Sequence, residues 1–234
     1  MTMSRIDIST PLLPSKISTL NKRINIAPIV EIDGQIAYGN QMTILSMQLL
    51  TSILSNGAQP FDLASHPELK KAIKCVHRAW DLELENNVFI VAQKCLGESF
   101  VERNISNFHR ISNQLPQRPK CGEIDVIAVN RKSKIIYILD AKNQKRGRES
   151  AEINREAKEF WGADGHSEQL HKKEQFVADN MAVFLDYFHV HTVEGWKTKS
   201  AFVVQTNYVS AFLVNHETDF VLLSDLPDYL LKGN

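Results

Sequence analysis

The segment "IDVIAVNRKSKIIYILDA" at 124–141 constrains the fold of this chain more than any other. Two runs of branched apolar residues flank a short basic stretch, the pattern of a β-hairpin. With 130–133 ("NRKS") as the loop, Val129 falls opposite Lys134 and Asp125 opposite Ile138. Side chains alternate between the two faces of a strand. One face then carries Glu123, Asp125, Ile127, Val129, Ile136, Ile138, Asp140 and Lys142. The other carries Ile124, Val126, Ala128, Ile135, Tyr137, Leu139 and Ala141. Apolar residues dominate both faces, so these are interior strands of a sheet that needs cover on both sides.

Helical spacing elsewhere supplies that cover. From Ser65 and Glu68, which form a capping box, apolar residues recur at Ile73, Val76, Trp80, Leu84, Val88, Val91, Ala92 and Cys95 and stop near Gly97. One long helix and two helices breaking near Asp81 both fit this spacing. A partly extended stretch follows at 99–111. The charged stretch 144–175 has helical content interrupted at "WGADGH", and a helix is expected over 171–188. Segments 199–214 and 220–224 read as late strands, and 225–234 as a short closing helix. Strands mixed with helices make an α/β domain over 76–234. Residues 1–75 read as a small α+β extension. They carry a hairpin signal at Asp33-Gly34 and a helical pattern over 41–57 that Asn56-Gly57 closes.

The apolar share of 43% in 234 residues suits a chain that buries a core. No apolar run reaches membrane-spanning length, and "MTMSRIDISTPLLPSK" lacks a secretory apolar core. Cys75, Cys95 and Cys121 form neither a disulfide framework nor a C-x-x-C pair. A cytoplasmic protein without a membrane partner is expected. The 27 basic and 27 acidic residues exclude a general polycation but leave local patches at 118–120, 131–134 and 142–148. His189 and His191 have no evident third metal ligand, and no G-x-x-x-x-G-K-[ST] phosphate loop occurs.

The charges in the hairpin need a reason. In the assumed register Asp125 and Asp140 are diagonal neighbours, roughly 7–8 Å apart, and Lys142 lies just beyond. An ion pair at the sheet rim is the structural reading. Against it, partly buried carboxylates repel unless a cation or a proton lies between them. One lysine cannot neutralise Glu123, Asp125 and Asp140 together, whereas a hard, oxygen-seeking ion such as Mg²⁺ would.

"GEIDVIAV" followed by "YILDAKN" resembles the PD-(D/E)xK nuclease superfamily, the restriction-endonuclease-like fold. The resemblance spans about 80–230. The upstream "LELENNVFIVAQKCLG" is similar to the first core helix of that family, with Glu85 in place of the helix carboxylate and Glu83 as the alternative. The chain departs from the pattern in having no proline before Asp125. It also departs at Gln169-Leu170, where Lys173 stands in place of a tyrosine found in some relatives.

The resemblance implies a deoxyribonuclease that hydrolyses phosphodiester bonds to a 5′-phosphate and a 3′-hydroxyl. It implies Mg²⁺ (or Mn²⁺) held by Asp125, Asp140, the backbone carbonyl of Ala141 and Glu85, with Lys142 orienting the attacking water. Glu123 and Gln169 are accessory candidates. Lys145, Arg146 and Arg148, with Arg131 and Lys132 of the turn, are expected to flank the site on phosphates. An inactive nucleic-acid-binding or assembly module of the same fold is the alternative. RNA stays open as a substrate, and a homodimer or larger complex is compatible.

Overall fold

A computed structural model describes residues 29–32, 35–39, 67–143, 150–209 and 218–232, with positions 41, 43–45, 47, 48 and 211. The expectations for the first 22 residues, for Asp33-Gly34, for Ser65 and for most of 41–57 fall outside these residues, as does the basic run 144–148. The chain divides into two compact units, Met1–Ile73 and Lys74–Asn234. In the first, β1 (Ile29–Ile32) and β2 (Gln35–Tyr38) pair antiparallel, with Ile32 opposite Gln35.

The second unit is an α/β structure built on a five-stranded mixed sheet. Its strands are β3 (Val101–Ile105), β4 (Ile124–Asn130), β5 (Ile135–Ala141), β6 (Lys197–Val204) and β7 (Asp219–Leu222), in that spatial order. β3, β4 and β5 pair antiparallel; β5, β6 and β7 pair parallel. A parallel pair needs a long crossover. Here it holds three helices: α2 (Ser150–Trp161), α3 (His166–Asp179) and α4 (Met181–Tyr187).

The long apolar stripe proves to be one uninterrupted helix, α1 (Pro67–Leu96). It buries Leu84, Val88 and Ala92, four residues apart, against Val126, Ala128, Tyr137 and Leu139. The closing helix α5 (Leu226–Lys232) adds Leu226 and Leu230 to the same cluster. The opposite face of the sheet packs Ile127, Val129, Ile136 and Ile138 against Phe160, Leu170, Val177 and Phe184 of α2–α4. Both faces of β4 and β5 are therefore covered. Alternation fails at Ile124, which joins the cluster of Ile127. Its partner Ile105 follows Asn104, whose φ of 51° reverses the side-chain sequence at the end of β3.

Two elements differ in their bounds from the sequence reading. The helix expected from 171 begins at His166, because the turn before it is closed by glycines. A Cβ on Gly165 would meet three backbone oxygens, those of Gly162, Glu159 and Phe160, at 2.7–2.9 Å. That helix then breaks at Asn180, whose Nδ2 donates to the Phe176 oxygen at 2.8 Å. The late strand over 199–214 starts earlier and stops at Val204.

The hairpin register also differs. Val129 pairs with Ile136 and Asn130 with Ile135, so the turn is 131–134 and not 130–133. Asn130 remains in the strand because its side chain organises the turn. Its Oδ1 accepts from the Lys132 and Ser133 amides at 2.9 and 3.2 Å, and its Nδ2 donates to the Leu230 oxygen at 2.7 Å. Lys134 closes the turn in the left-handed region, φ 55°. The slip is two residues, an even number, so the side chains of the two strands other than Ile124 keep the faces assigned to them.

Candidate functional site

The two-residue slip brings Asp125 directly opposite Asp140 rather than diagonal to it. The last ladder pair of β4 and β5 at this end is Val126 with Leu139, and the two carboxylates extend that register. Asp125 completes the open end: its Oδ2 accepts from the Ala141 amide at 3.0 Å. Along β5 the residues that bond to β6 alternate, and the Lys142 amide donates to the Val203 oxygen at 3.0 Å. Ala141 therefore points its N–H and its carbonyl the other way, toward Asp125.

Lys142 stands one residue past the strand. Its backbone is held on both sides, because Tyr208 Oη also donates to the Lys142 oxygen at 3.3 Å. Its ammonium lies 2.7 Å from Asp140 Oδ2. A second lysine, Lys173 of α3, lies 2.5 Å from Asp140 Oδ1 and 3.9 Å from Asp125 Oδ1. Asp140 is only 3% exposed. Burial alone would raise its pKa, but the two ammonium groups more than offset this and hold its carboxyl below the usual range. Asp125 has only the longer of these contacts, to Lys173 at 3.9 Å. Burial, then the charge on Asp140, push it up to about 7 against the pull of Lys173 and Lys142.

From the opposite face, α1 presents Glu85 to the same end of the sheet, beside the buried stripe residue Leu84. Burial raises the Glu85 pKa, and Glu123, Asp81 and Asp140 raise it further, while Lys142 lowers it. Glu83 is exposed on the same helix. The structure thus gathers Glu85, Asp125, Asp140, Ala141 and Lys142 at one end of β4 and β5. Glu123 is exposed and lines a pocket of about 290 Å³ with Ser106, Asn107, Gln117, Arg118, Pro119 and Gly122.

Other expected residues stand apart. Gln169 is exposed, and its Nε2 donates to the Asp164 oxygen at 3.2 Å, so it serves the turn before α3. Arg131 and Lys132 sit in the turn at the far end of the hairpin. Five residues of extended chain lie between that turn and Asp125, a span of roughly 20 Å. Arg131 stacks over the Phe100 ring at 5.3 Å. The turn therefore does not flank the acidic end, contrary to expectation. Lys145, Arg146 and Arg148 lie outside the described residues. His189 and His191 are exposed.

Two members of the site had no role in the sequence reading: Lys173, noted there only as standing in place of a tyrosine, and His166. Lys173 shares a buried helical stripe with Leu170 and Val177. A lysine at such a position signals a buried charge partner. His166, at the start of α3, is within electrostatic reach of Lys142, Asp140 and Lys173; burial, then Lys142, hold its imidazole below its usual pKa. A histidine just after a glycine turn carries no comparable signal.

Compared with protein-family models, with curated proteins and with solved structures, the chain matches none of them. The site is therefore read on its own chemistry. Among the described residues, no three carboxylate, imidazole or thiol groups converge on one point. Two facing carboxylates and a backbone carbonyl turned toward them still form a hard-oxygen donor set, with Glu85 nearby. Such a set fits Mg²⁺ or Mn²⁺ rather than a soft thiophilic ion. No helix among the described residues is long and apolar enough to cross a membrane.

Proposed function

We propose that this chain is a Mg²⁺-dependent deoxyribonuclease of the restriction-endonuclease-like type. The observation that carries the reading is Asp125 facing Asp140 across the end of a buried hairpin, with Lys142 two residues on. Burying like charges opposite one another costs stability. A metal-dependent hydrolase has a use for that arrangement.

In this reading Asp125, Asp140 and the Ala141 carbonyl hold the ion, and Glu85 assists. Bound there, Mg²⁺ polarises the scissile phosphate and lowers the pKa of water. Lys142, fixed through its backbone, aims its ammonium to orient the attacking water or to stabilise negative charge growing on the phosphate. A compact ammonium suits this role beside carboxylates better than a rigid guanidinium. Glu123 and its pocket would meet the flanking nucleotide. The expected products carry a 5′-phosphate and a 3′-hydroxyl.

The test is cleavage of linear, circular, branched and single-stranded DNA, with RNA in parallel, in Mg²⁺ or Mn²⁺ against EDTA. Asp140→Ala and Lys142→Ala should each lower the rate at least about 100-fold, the scale for losing a positioned polar group in a transition state. Wild-type rates in both purified variants would sink the reading.

One observation favours a second reading, a catalytically inactive nucleic-acid-binding or assembly module. The ammonium groups of Lys142 and Lys173 already neutralise Asp140, and Asp125 caps an open strand end. That module would bind DNA equally in EDTA and turn over no substrate.

A further inference from the structure

Lys173 is the most unusual side chain in the site. It is a lysine only 8% exposed, on the apolar stripe of α3, with its ammonium between two carboxylates. A buried ammonium is costly, and here it is retained because Asp140 and Asp125 raise its affinity for the proton beyond what burial removes. Lys142 already pairs with the other oxygen of Asp140. As an ion pair for Asp140 alone, Lys173 would be redundant. What it adds is a positive charge facing both carboxylates at once, the task assigned above to the metal.

We propose that Lys173 is an internal counter-cation that competes with the divalent ion for Asp125 and Asp140. Resting on the metal-site reading above, this makes Lys173 a positioning residue that sets metal affinity. Without the ion, its ammonium keeps the two carboxylates in register at the end of β4 and β5. When the ion binds, the Lys173 ammonium leaves Asp140. Both charges cannot share the oxygens, because two cations a few ångströms apart repel strongly where the dielectric is low. The cost of that displacement is subtracted from the intrinsic affinity of the oxygen set. The site then fills only at the higher end of divalent-ion concentration, and the apo fold does not depend on metal.

The experiment is Mg²⁺ and Mn²⁺ binding by calorimetry and by thermal melting, on the full chain without nucleic acid, comparing wild type with Lys173→Met and Lys173→Arg. Lys173→Met should bind either ion at least about tenfold more tightly, the scale on which groups around a metal ligand tune affinity. Its Tm should be lower in EDTA and rise more steeply with metal than that of wild type. Lys173→Arg keeps the charge and should not gain affinity.

If Lys173→Met does not fold, the wild type still decides the matter. A ¹⁵N-labelled lysine ammonium signal, assigned by its loss in Lys173→Arg, should be protected in EDTA and vanish or shift at saturating Mg²⁺. Equal affinities in wild type and Lys173→Met, or a Lys173 signal unmoved by saturating metal, would overturn the inference and leave the nuclease reading standing. No metal binding by either protein, with no cleavage, would overturn both.

Discussion

At the scale of the residue, two carboxylates of the same type, facing each other across neighbouring strands, acquire opposite character from their environments. Asp140 touches two ammonium groups and stays ionised; Asp125 touches an amide and is pushed up to about 7. Asp125 therefore holds a proton in the native state between about pH 4 and 7 that the unfolded chain has released. Where the native state binds more protons, stability falls as pH rises. Without metal, Asp125 should cost the fold on the order of a few kcal/mol on going from pH 5 to pH 7.5. Asp140 acts in the reverse sense, adding stability above its unfolded pKa that is lost in acid. Urea midpoints of wild type and Asp125→Asn in EDTA at the two pH values test this. The variant should lose much of the wild-type decline, and parallel slopes would count against the protonated Asp125. In the presence of Mg²⁺ the same proton must leave, so apparent metal affinity should weaken as pH falls below about 7. The alternation of a strand is enough to assign Asp125, Asp140 and Lys142 to one face. Lys173 is 33 residues from Asp140 in the chain, and no local pattern links them. Only its place on the stripe of Leu170 and Val177 hinted at burial.

At the scale of the element, the hairpin illustrates what a sequence pattern fixes and what it leaves to side-chain chemistry. Parity follows from which residues are apolar, so the faces of β4 and β5 were legible. The register within that parity depends on the turn, and here it depends on Asn130, whose side chain bonds two turn amides and reaches the Leu230 oxygen in α5. That last bond spans 100 residues and has no sequence signature. Asn130→Ala should lower stability by about 1–3 kcal/mol, since it leaves a buried carbonyl and two amides without this partner. Denaturant unfolding measures the loss, and hydrogen exchange should rise at 131–134. A Cm unchanged from wild type would mean that backbone pairing alone sets the turn. The crossover helices have a different anchor. Phe160 of α2 is fully buried among Phe202, Phe220 and Tyr208, with ring centroids 5.1–5.4 Å away. Phe160→Ala should cost about 3–5 kcal/mol. Because α3 follows α2 through the tight glycine turn, that variant should also disturb Lys173, and its metal response should change along with its Tm.

At the scale of the whole molecule, the core and the candidate site belong to the same unit. Every residue of the two buried clusters lies between Leu84 and Leu230. Each carboxylate and lysine of the acidic end lies there too. A fragment that begins at Pro67 keeps α1 whole and retains all of them. It should unfold in one cooperative step and, on the proposed function, match the full chain in Mg²⁺ affinity and in the rate of DNA cleavage. A fragment that folds but does not cleave, when the full chain does, would assign the first unit a part in substrate binding. The placement of positive charge gives a sharper test of the same question. Arg131 and Lys132 lie in the turn at the far end of the hairpin from Asp125, so a DNA strand crossing the acidic end has no need to reach them. Each phosphate neutralised by a basic side chain contributes close to one unit to the slope of log affinity against log salt. The double variant Arg131→Ala/Lys132→Ala should therefore keep the wild-type slope and the wild-type cleavage rate. A slope shallower by one or two units would mean that the duplex extends along the full length of β4 and β5, and that the turn is part of the binding surface after all.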